Sequence, residues 1–308
     1  MEMKKITILL ATHNRAHLIG ETLQSIKNQT YTNFECLITD DNSTDNTAEV
    51  VENVIKEDTR FLYFKKPKKY PKGLSATRNF GLDIATTRNA EYIQFFDDDD
   101  IMHPQKLELQ IIPLINNSKL DFTLCKYRKF DFPEMIELDL QKADDKSCKI
   151  FTKNLLKSFY LNELDLNSLG PLWKAEVILN YRFNELLHYT EERDLYLRMF
   201  LQEKIKYKAI PYILFWYRKH PNAITSNFYG SKTNIKEKSR QISEVNFFKI
   251  LLNKEKVPFF LLKSFLAKGI KQNKKEYLTG LKVYILKNYR WLNVKYLAVL
   301  FYLHLKLK

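Results

Sequence analysis

The sequence predicts an α/β fold, a mostly parallel sheet flanked by helices, followed by a C-terminal basic amphipathic helical segment. Short, fully apolar strands alternate with helical segments through the first hundred residues, which is typical of βαβ units. Polar clusters directly follow three of these strands, at the carboxyl ends where open α/β sheets bind ligands. The first hundred residues therefore predict both the fold and the edge of the sheet at which a ligand binds.

The strands are predicted by short apolar runs with polar or turn residues on either side. Such runs are expected where both faces of a parallel sheet are covered by helices. In chain order they are ITILLA at 6–11, FECLITD at 34–40, FLYF at 61–64 and YIQFF at 92–96.

The intervening helices are predicted by apolar residues at helical spacing. The first ends near Asn28, after Leu18, Leu23 and Ile26. The second follows Ser43-Thr44-Asp45 and repeats apolar residues from Ala48 to Ile55, and the third runs from about Ser75 to Thr86.

The net charge of +14 divides the chain in two. Residues 231–308 contain 18 Lys and Arg against 4 Asp and Glu, which leaves 32 of each sign in residues 1–230. We therefore predict a neutral α/β domain at 1–230. A basic helical tail is predicted at 231–308.

The N-terminus and the cysteines predict a cytoplasmic protein. Met1–Lys5 lead directly into the first strand without a cleavage-site pattern, and three cysteines without paired spacing indicate reduced thiols. No window reaches the roughly 18 apolar residues that span a bilayer. We expect peripheral attachment to the inner face of the cell membrane.

In the run EYIQFFDDDD at 91–100, four consecutive carboxylates directly follow an apolar strand. Four adjacent acids repel one another unless a cation lies among them, and oxygen ligands suit Mg²⁺ or Mn²⁺. Such a metal would hold a diphosphate. A solvated acidic turn is the alternative for this run taken alone, but polar clusters at 12–15 and 40–43 are expected at the same sheet edge.

The phosphates are expected to be held by metal and cations, because the sequence contains neither a GxGxxG nor a GxxxxGK[ST] pattern. Asp41 is placed to accept hydrogen bonds from a base edge. Lys72 and Arg78 are placed to offset diphosphate charge. A structural ion pair between Arg78 and a nearby aspartate is an equal alternative.

Four motifs, ATHNR (11–15), DDNSTD (40–45), GLSATRNFGL (73–82) and FFDDDD (95–100), resemble the successive motifs of family 2 glycosyltransferases with a GT-A fold. The resemblance covers about the first 110 residues in the family's order. It implies an enzyme that binds a UDP-sugar with Mn²⁺ or Mg²⁺, and a catalytic domain at 1–230 with a nucleotide-sugar half at 1–110 and an acceptor half at 111–230.

The resemblance implies residue roles at the donor site. Nucleotide-sugar binding would involve Ala11, Thr12, Asn14, Arg15, Asp41, Lys72, Arg78, Asp97 and Asp98. The family's DXD motif maps to Asp97 and Asp99, with Asp98 near the ribose and Asp99 as metal ligand. Because four acids stand in a row, the register is open by one residue.

The segment HYTEERDLYLRMF at 188–200 predicts a helix with Glu191 and Glu192 in its first turn. Acids there complement the helix dipole, which is the structural interpretation of the pair. In the resembling family an ED pair precedes this helix and its second acid is the catalytic base. The resemblance therefore implies Glu192 as base, with one extra methylene, and Glu191 beside the acceptor.

Two further segments enter the predicted site. FWYRKHPNAITSN at 215–227 resembles the family's YRxH segment, which implies Tyr217 and Arg218 near the diphosphate and His220 as a metal ligand. Trp173, before a predicted helix, is a candidate wall of the acceptor pocket, because indole faces suit sugar rings. An ordinary core tryptophan is at least as well supported.

The expected reaction is metal-assisted single displacement, in which a base deprotonates an acceptor hydroxyl and the anomeric centre inverts. A lipid-linked or surface oligosaccharide is the expected acceptor, and residues 257–308 are expected to bind an anionic membrane surface. A catalytically inactive nucleotide-sugar-binding module and a nucleotidyltransferase are the alternatives. Nucleic-acid binding is disfavoured, because the tail is too apolar and lacks a recognition motif.

Overall fold

A computed structural model describes residues 4–131, 136–140, 148–219, 233–288, 298–299 and 302–303. The chain forms two compact units, residues 1–240 and 241–308. The described strands are β1 (Ile6–Thr12), β2 (Phe34–Asp40), β3 (Phe61–Lys65), β4 (Tyr92–Asp97), β5 (Ile101–Met102), β6 (Phe122–Asp131), β7 (Pro171–Lys174) and β8 (Tyr207–Lys219). The described helices are α1 (Ile19–Lys27), α2 (Thr47–Ile55), α3 (Leu74–Thr87), α4 (Lys106–Asn116), α5 (Leu155–Tyr160), α6 (Ala175–Ile178), α7 (Glu191–Gln202), α8 (Thr233–Leu252), α9 (Phe259–Lys271) and α10 (Lys275–Lys287).

The described strands form one sheet in the order β3-β2-β1-β4-β7-β6-β8-β5. β3, β2, β1 and β4 pair in parallel, and β6 pairs in parallel with β8. β7 and β5 are antiparallel to their neighbours. The predicted α/β class is confirmed. The two antiparallel strands are only four and two residues long, too short to give a periodic signal in the sequence.

The first half of the core explains why its strands are uniformly apolar. Every residue of β1 and β2 is buried, since helices cover both faces of the sheet. α1 contributes Ile19, Leu23 and Ile26 to this core, all with no exposed surface. The helical spacing of these three residues is what places them on one face.

Parallel pairing in register determines where the strands end. Thr12 on β1 is opposite Asp40 on β2, and Ala11 on β1 is opposite Asp97 on β4. The polar residues that follow the three strands are therefore carried to one edge of the sheet.

The second unit is helical in its described residues. Phe265 is buried between Phe248 and Tyr277, whose ring centroids lie 4.7 and 5.2 Å from its own. Among the described residues of α9 and α10, Ile270, Val283 and Leu286 are exposed. No described helix is both long enough and apolar enough to cross a membrane. The predicted membrane segment at 257–308 lies partly outside the described residues.

Candidate active site

A cavity of about 670 Å³ opens at the carboxyl edge of the sheet. Its walls come from the loops after β1, β2 and β4, the start of α3, the segment 159–169 and the start of α7. It brings together residues predicted from six separate stretches of sequence. These are Ala11, Thr12, Arg15, Asp41, Arg78, Asp97, Asp98, Asp99, Glu191, Glu192 and Tyr217.

Asp41 is held by two neighbours at one end of the cavity. Lys66 Nζ lies 2.5 Å from Asp41 Oδ1, and the amide of Gly73 donates to Asp41 Oδ2 at 2.7 Å. Gly73 has φ +118°, which side chains rarely adopt, and its missing Cβ would lie 3.8 Å from His188 Nδ1. Lys66 was missed at the sequence level, although it directly follows β3 at the same sheet edge.

The middle of the cavity carries the acidic run. Arg15 Nε lies 3.3 Å from Asp98 Oδ1 and 4.0 Å from Asp99 Oδ2, and the amide of His13 donates to Asp98 at 3.3 Å. Burial and the charge of Asp99 raise the pKa of Asp98 to about 8, although Arg15 opposes the shift. At Asp98, burial and repulsion within the run thus outweigh the attraction of Arg15.

Arg218 lies behind the acidic run and is buried, so it does not line the cavity as expected for a group near the diphosphate. Its amide donates to Asp100 at 2.7 Å, and its guanidinium donates to the carbonyl of Asp99 at 2.7 Å and to Glu21 at 2.5 Å. Arg218 therefore links the acidic run to α1 through hydrogen bonds. Burial and Asp99 raise the pKa of Asp100 well above its ordinary value.

Arg78 connects the acidic run to the opposite wall. Its Nη2 donates to Asp97 at 2.7 Å and to Ser168 Oγ at 3.0 Å, and its Nη1 lies 3.8 Å from Glu191. Burial lowers the pKa of Arg78, but the carboxylates around it outweigh burial and raise it. The structure thus shows the predicted alternative of an ion pair with an aspartate, on a guanidinium that also lines the cavity.

The two glutamates are presented by a strained residue at the start of α7. Thr190 has φ 62° and ψ 22°, a left-handed conformation that is unusual for a β-branched side chain. Burial and the neighbouring Glu192 raise the pKa of Glu191 to about 7, with Arg78 acting against them. Glu192 also lines the cavity.

The far wall is formed by segment 159–169, which the sequence did not identify. Arg193 on α7 holds it by donating to the carbonyls of Phe159 at 3.0 Å and Tyr160 at 2.7 Å, and to Asn162 at 2.8 Å. The carbonyls of Phe159 and Tyr160 are the last two of α5, and the carbonyls at the C-terminal end of a helix attract a cation.

Besides Arg218, three predicted site residues do not line the cavity. Lys72 is exposed and does not line it. Asn14 instead links the loop after β1 to the loop after β2. Its side-chain oxygen accepts from the backbone amide of Thr44 at 2.8 Å, and its backbone amide donates to Ser43 Oγ at 2.9 Å. Trp173 is the third.

Trp173 is fully buried, with its ring stacked 4.1 Å from Phe122 and tilted 5.5 Å from Tyr196. The prediction of Trp173 as a pocket wall is therefore wrong, because β7 lies inside the sheet. His220 lies outside the described residues.

The acidic run presents carboxylate oxygens of the kind that divalent cations bind. In the described part of the chain no group of three or more His, Cys, Asp or Glu side chains could hold one. Asp97 and Asp99 nevertheless alternate with the buried Asp98 and Asp100, and their side chains stay 25% and 16% exposed toward the cavity. Mg²⁺ sites commonly use one or two carboxylates and complete the shell with substrate phosphates. This pair fits such a metal.

Sequence comparison places the chain among known relatives. The model of the family described as glycosyl transferase family 2 matches residues 7–164. The chain is 28% identical over 201 residues to GalNAc(5)-diNAcBac-PP-undecaprenol beta-1,3-glucosyltransferase of Campylobacter jejuni. That alignment covers 65% of this chain and 61% of the relative, so the chain spans about three fifths of the relative's length.

Solved structures share the fold. Staphylococcus aureus TarS 1–349 in complex with UDP-GlcNAc gives a TM-score of 0.63 at 19% identity, covering 91% of this chain and 80% of that one. The mannosyltransferase PcManGT from Pyrobaculum calidifontis, in complex with GDP-Man and Mn²⁺, gives 0.54 at 14% identity, covering 82% and 65%. At such identities the likeness supports the GT-A fold.

Proposed function

Because this chain belongs to glycosyl transferase family 2, we propose that it transfers a sugar from a UDP-sugar to a hydroxyl of a glycan acceptor. The observation that carries the proposal is the cavity in which three strand ends and the start of α7 meet. Asp41, the carboxylates of Asp97 and Asp99, and the glutamates Glu191 and Glu192 all line this one cavity.

The donor is proposed to bind along the strand ends. Asp41 would accept from the base edge beside the Ala11–Thr12 backbone, and Asp98 would lie near the ribose. Asp97 and Asp99 would hold Mn²⁺ or Mg²⁺, and the PcManGT complex with Mn²⁺ supports metal use within this fold. When bound, the metal supplies charge stabilisation for the departing diphosphate.

Glu192 is proposed as the general base. Glu191 is 3.8 Å from Arg78 and so is engaged with a buried cation, which favours its neighbour as the group that takes the proton. Arg78 would keep Asp97 and Glu191 in place while the acceptor hydroxyl attacks from the face opposite the leaving group. A single displacement inverts the anomeric centre, so an α-linked donor should yield a β-glycoside. An α-linked product, read from the anomeric proton coupling, would exclude this mechanism.

The acceptor is proposed to be a glycan carried on a lipid diphosphate, as the name of the Campylobacter relative describes for that enzyme. Two cations on α8 support an anionic acceptor. Lys236 Nζ and the Arg240 guanidinium lie 4.8 and 5.6 Å from the ring of Tyr189, which lines the cavity. Arg240→Gln should raise the KM for such an acceptor more than Lys238→Gln, an exposed control on the same helix. Equal KM values would remove this support.

The second unit is proposed to bind an anionic membrane surface from the cytoplasmic side. Five of its described aromatic side chains are buried and the others, Phe259, Phe260 and Tyr302, are half-buried. Attachment would therefore depend mainly on lysines around the exposed Ile270, Val283 and Leu286. Each lysine near an anionic surface contributes about 1 kcal/mol.

A thermal-shift series tests the donor proposal. UDP, GDP, dTDP and CMP are each added with and without Mn²⁺. A ligand at about 100 times its Kd adds roughly 2.7 kcal/mol to stability. We expect UDP to stabilise the protein only with metal, and Asp99→Ala to lose this effect. Absence of any nucleotide response would overturn the donor proposal.

A further inference from the structure

We propose that Lys66 sets the base preference of the nucleotide site by keeping Asp41 ionised, which makes Lys66 a specificity-determining residue. The proposal rests on the proposed function, since it takes Asp41 as the group that meets the base. Lys66 belongs to none of the motifs that relate the chain to its family, and its role comes from contacts within this fold.

Lys66 is a buried cation whose ammonium group is held by three partners. Its side chain is 1% exposed, and Nζ donates to the carbonyl of Pro71 at 2.7 Å and to Thr77 Oγ1 at 3.0 Å. Nζ also lies 2.5 Å from Asp41 Oδ1, with which it forms an ion pair. A lysine held by three partners presents a positive charge at one place, and that place is the carboxylate.

The other neighbours of Asp41 do not replace this charge. On its own strand, Asp40 is occupied by Ser43 and Tyr63, which both donate to it. From the segment before α3, Gly73 contributes a neutral amide, and the imidazole of His188 lies beyond that glycine. Lys66 is thus the cation in direct contact with Asp41 among the described residues.

The charge state of Asp41 decides which base edge it can match. An ionised carboxylate only accepts, so it pairs with the N3–H of uracil and repels the N3 lone pair of cytosine. A protonated carboxyl donates to cytosine N3 while accepting from its amino group. A buried carboxylate that loses its cation is expected to bind a proton, because burial penalises the charged form. Removal of Lys66 should therefore shift the preference from uracil toward cytosine.

The test compares UDP and CDP binding to the full-length protein by calorimetry, with Mn²⁺ present. Wild type should prefer UDP. In Lys66→Met the CDP-to-UDP affinity ratio should rise about 10- to 100-fold at about pH 6, the worth of one charge-assisted hydrogen bond. Raising the pH should restore the preference for UDP, as the proton leaves Asp41. In Asp41→Asn, whose side chain cannot ionise, the CDP-to-UDP affinity ratio should differ from that of wild type and should not change with pH.

A ratio of affinities separates this role from a merely structural one. Lys106→Met is the matched control, because Lys106 is also fully buried but bonds Gln110 and Cys125. Its CDP-to-UDP ratio should equal that of wild type even if stability falls. If Lys66→Met also keeps the wild-type ratio, or weakens both nucleotides equally, the proposal is overturned. Failure of wild type to bind either nucleotide would instead overturn the proposed function, and this proposal with it.

Discussion

Replacement of Arg78 by methionine is expected to destabilise the first unit strongly. The guanidinium is buried and its partner Asp97 is only a quarter exposed, so the change leaves a carboxylate without its cation. Breaking such a buried pair costs about 3–5 kcal/mol, and the lost hydrogen bond to Ser168 adds about 1 kcal/mol. With a urea m-value of roughly 2–3 kcal/mol/M, the unfolding midpoint should fall by about 1.3–3 M.

The matched control is Arg182→Met. Arg182 pairs with Asp83 at 3.0 Å, but both side chains are about 40% exposed, so the loss should be about 1 kcal/mol or less. Urea unfolding followed by circular dichroism measures both variants. Equal midpoints for the two variants would refute the reasoning, because burial would then not determine the cost.

The pH dependence of the Arg78 variant supplies a second check. Without the guanidinium, which opposes the raised pKa of Glu191, that folded-state pKa should rise above its value of about 7. The part of the penalty that comes from Glu191 is then small below about pH 6 and grows as the pH rises through 7, where wild type ionises Glu191 more readily than the variant. A difference from wild type that stays constant between about pH 5 and 8 would contradict this explanation.

Three further predictions concern other parts of the chain. Thr190→Gly should raise the unfolding free energy by about 1 kcal/mol, because glycine adopts the left-handed conformation without strain. Turnover should fall, because Glu191 and Glu192 are then held less firmly. An unchanged urea midpoint would show that Thr190 is not strained. Glu191, with a folded pKa of about 7 against an ordinary 4.5, makes wild type lose stability as the pH rises through that window. The stability of Glu191→Gln relative to wild type should therefore increase from about pH 5 to 8 in urea titrations, and a flat difference would disprove the shift. Finally, glutamine at four exposed lysines of the second unit should abolish sedimentation with anionic liposomes at low salt, whereas the same change at four exposed lysines of the first unit should not. The second-unit set is Lys263, Lys271, Lys275 and Lys287, and the control set is Lys56, Lys68, Lys153 and Lys204.

Much of the fold was predictable because its signals are local. Each of the first four strands is a short apolar run, and the structure has them within one residue of the predicted bounds. The second half was less predictable. β6 and β8 are long strands with a register shift between them, and β7 and β5 are short antiparallel strands that only pairing makes recognisable.

The candidate site divides in the same way. Residues at strand ends, such as Asp41 and Asp97, were located because parallel strands end at one edge. Lys66 follows the same rule at the end of β3 and could have been found by applying it there. Trp173 was misplaced because an indole before a helix looks the same in sequence whether its strand lies at the rim or inside the sheet.

The sequence by itself determined the order of the first four strands and the helices between them, the acids at the strand ends and membership of the family, because these depend on residues close together in the chain. Only the tertiary structure decided which charges meet. Arg78 reaches Ser168, 90 residues away, and Arg218 reaches Glu21 across 197 residues. Such pairs form because the sheet brings distant segments together, and burial then makes each pairing strong enough to matter. Spacing along the chain contains no record of that proximity.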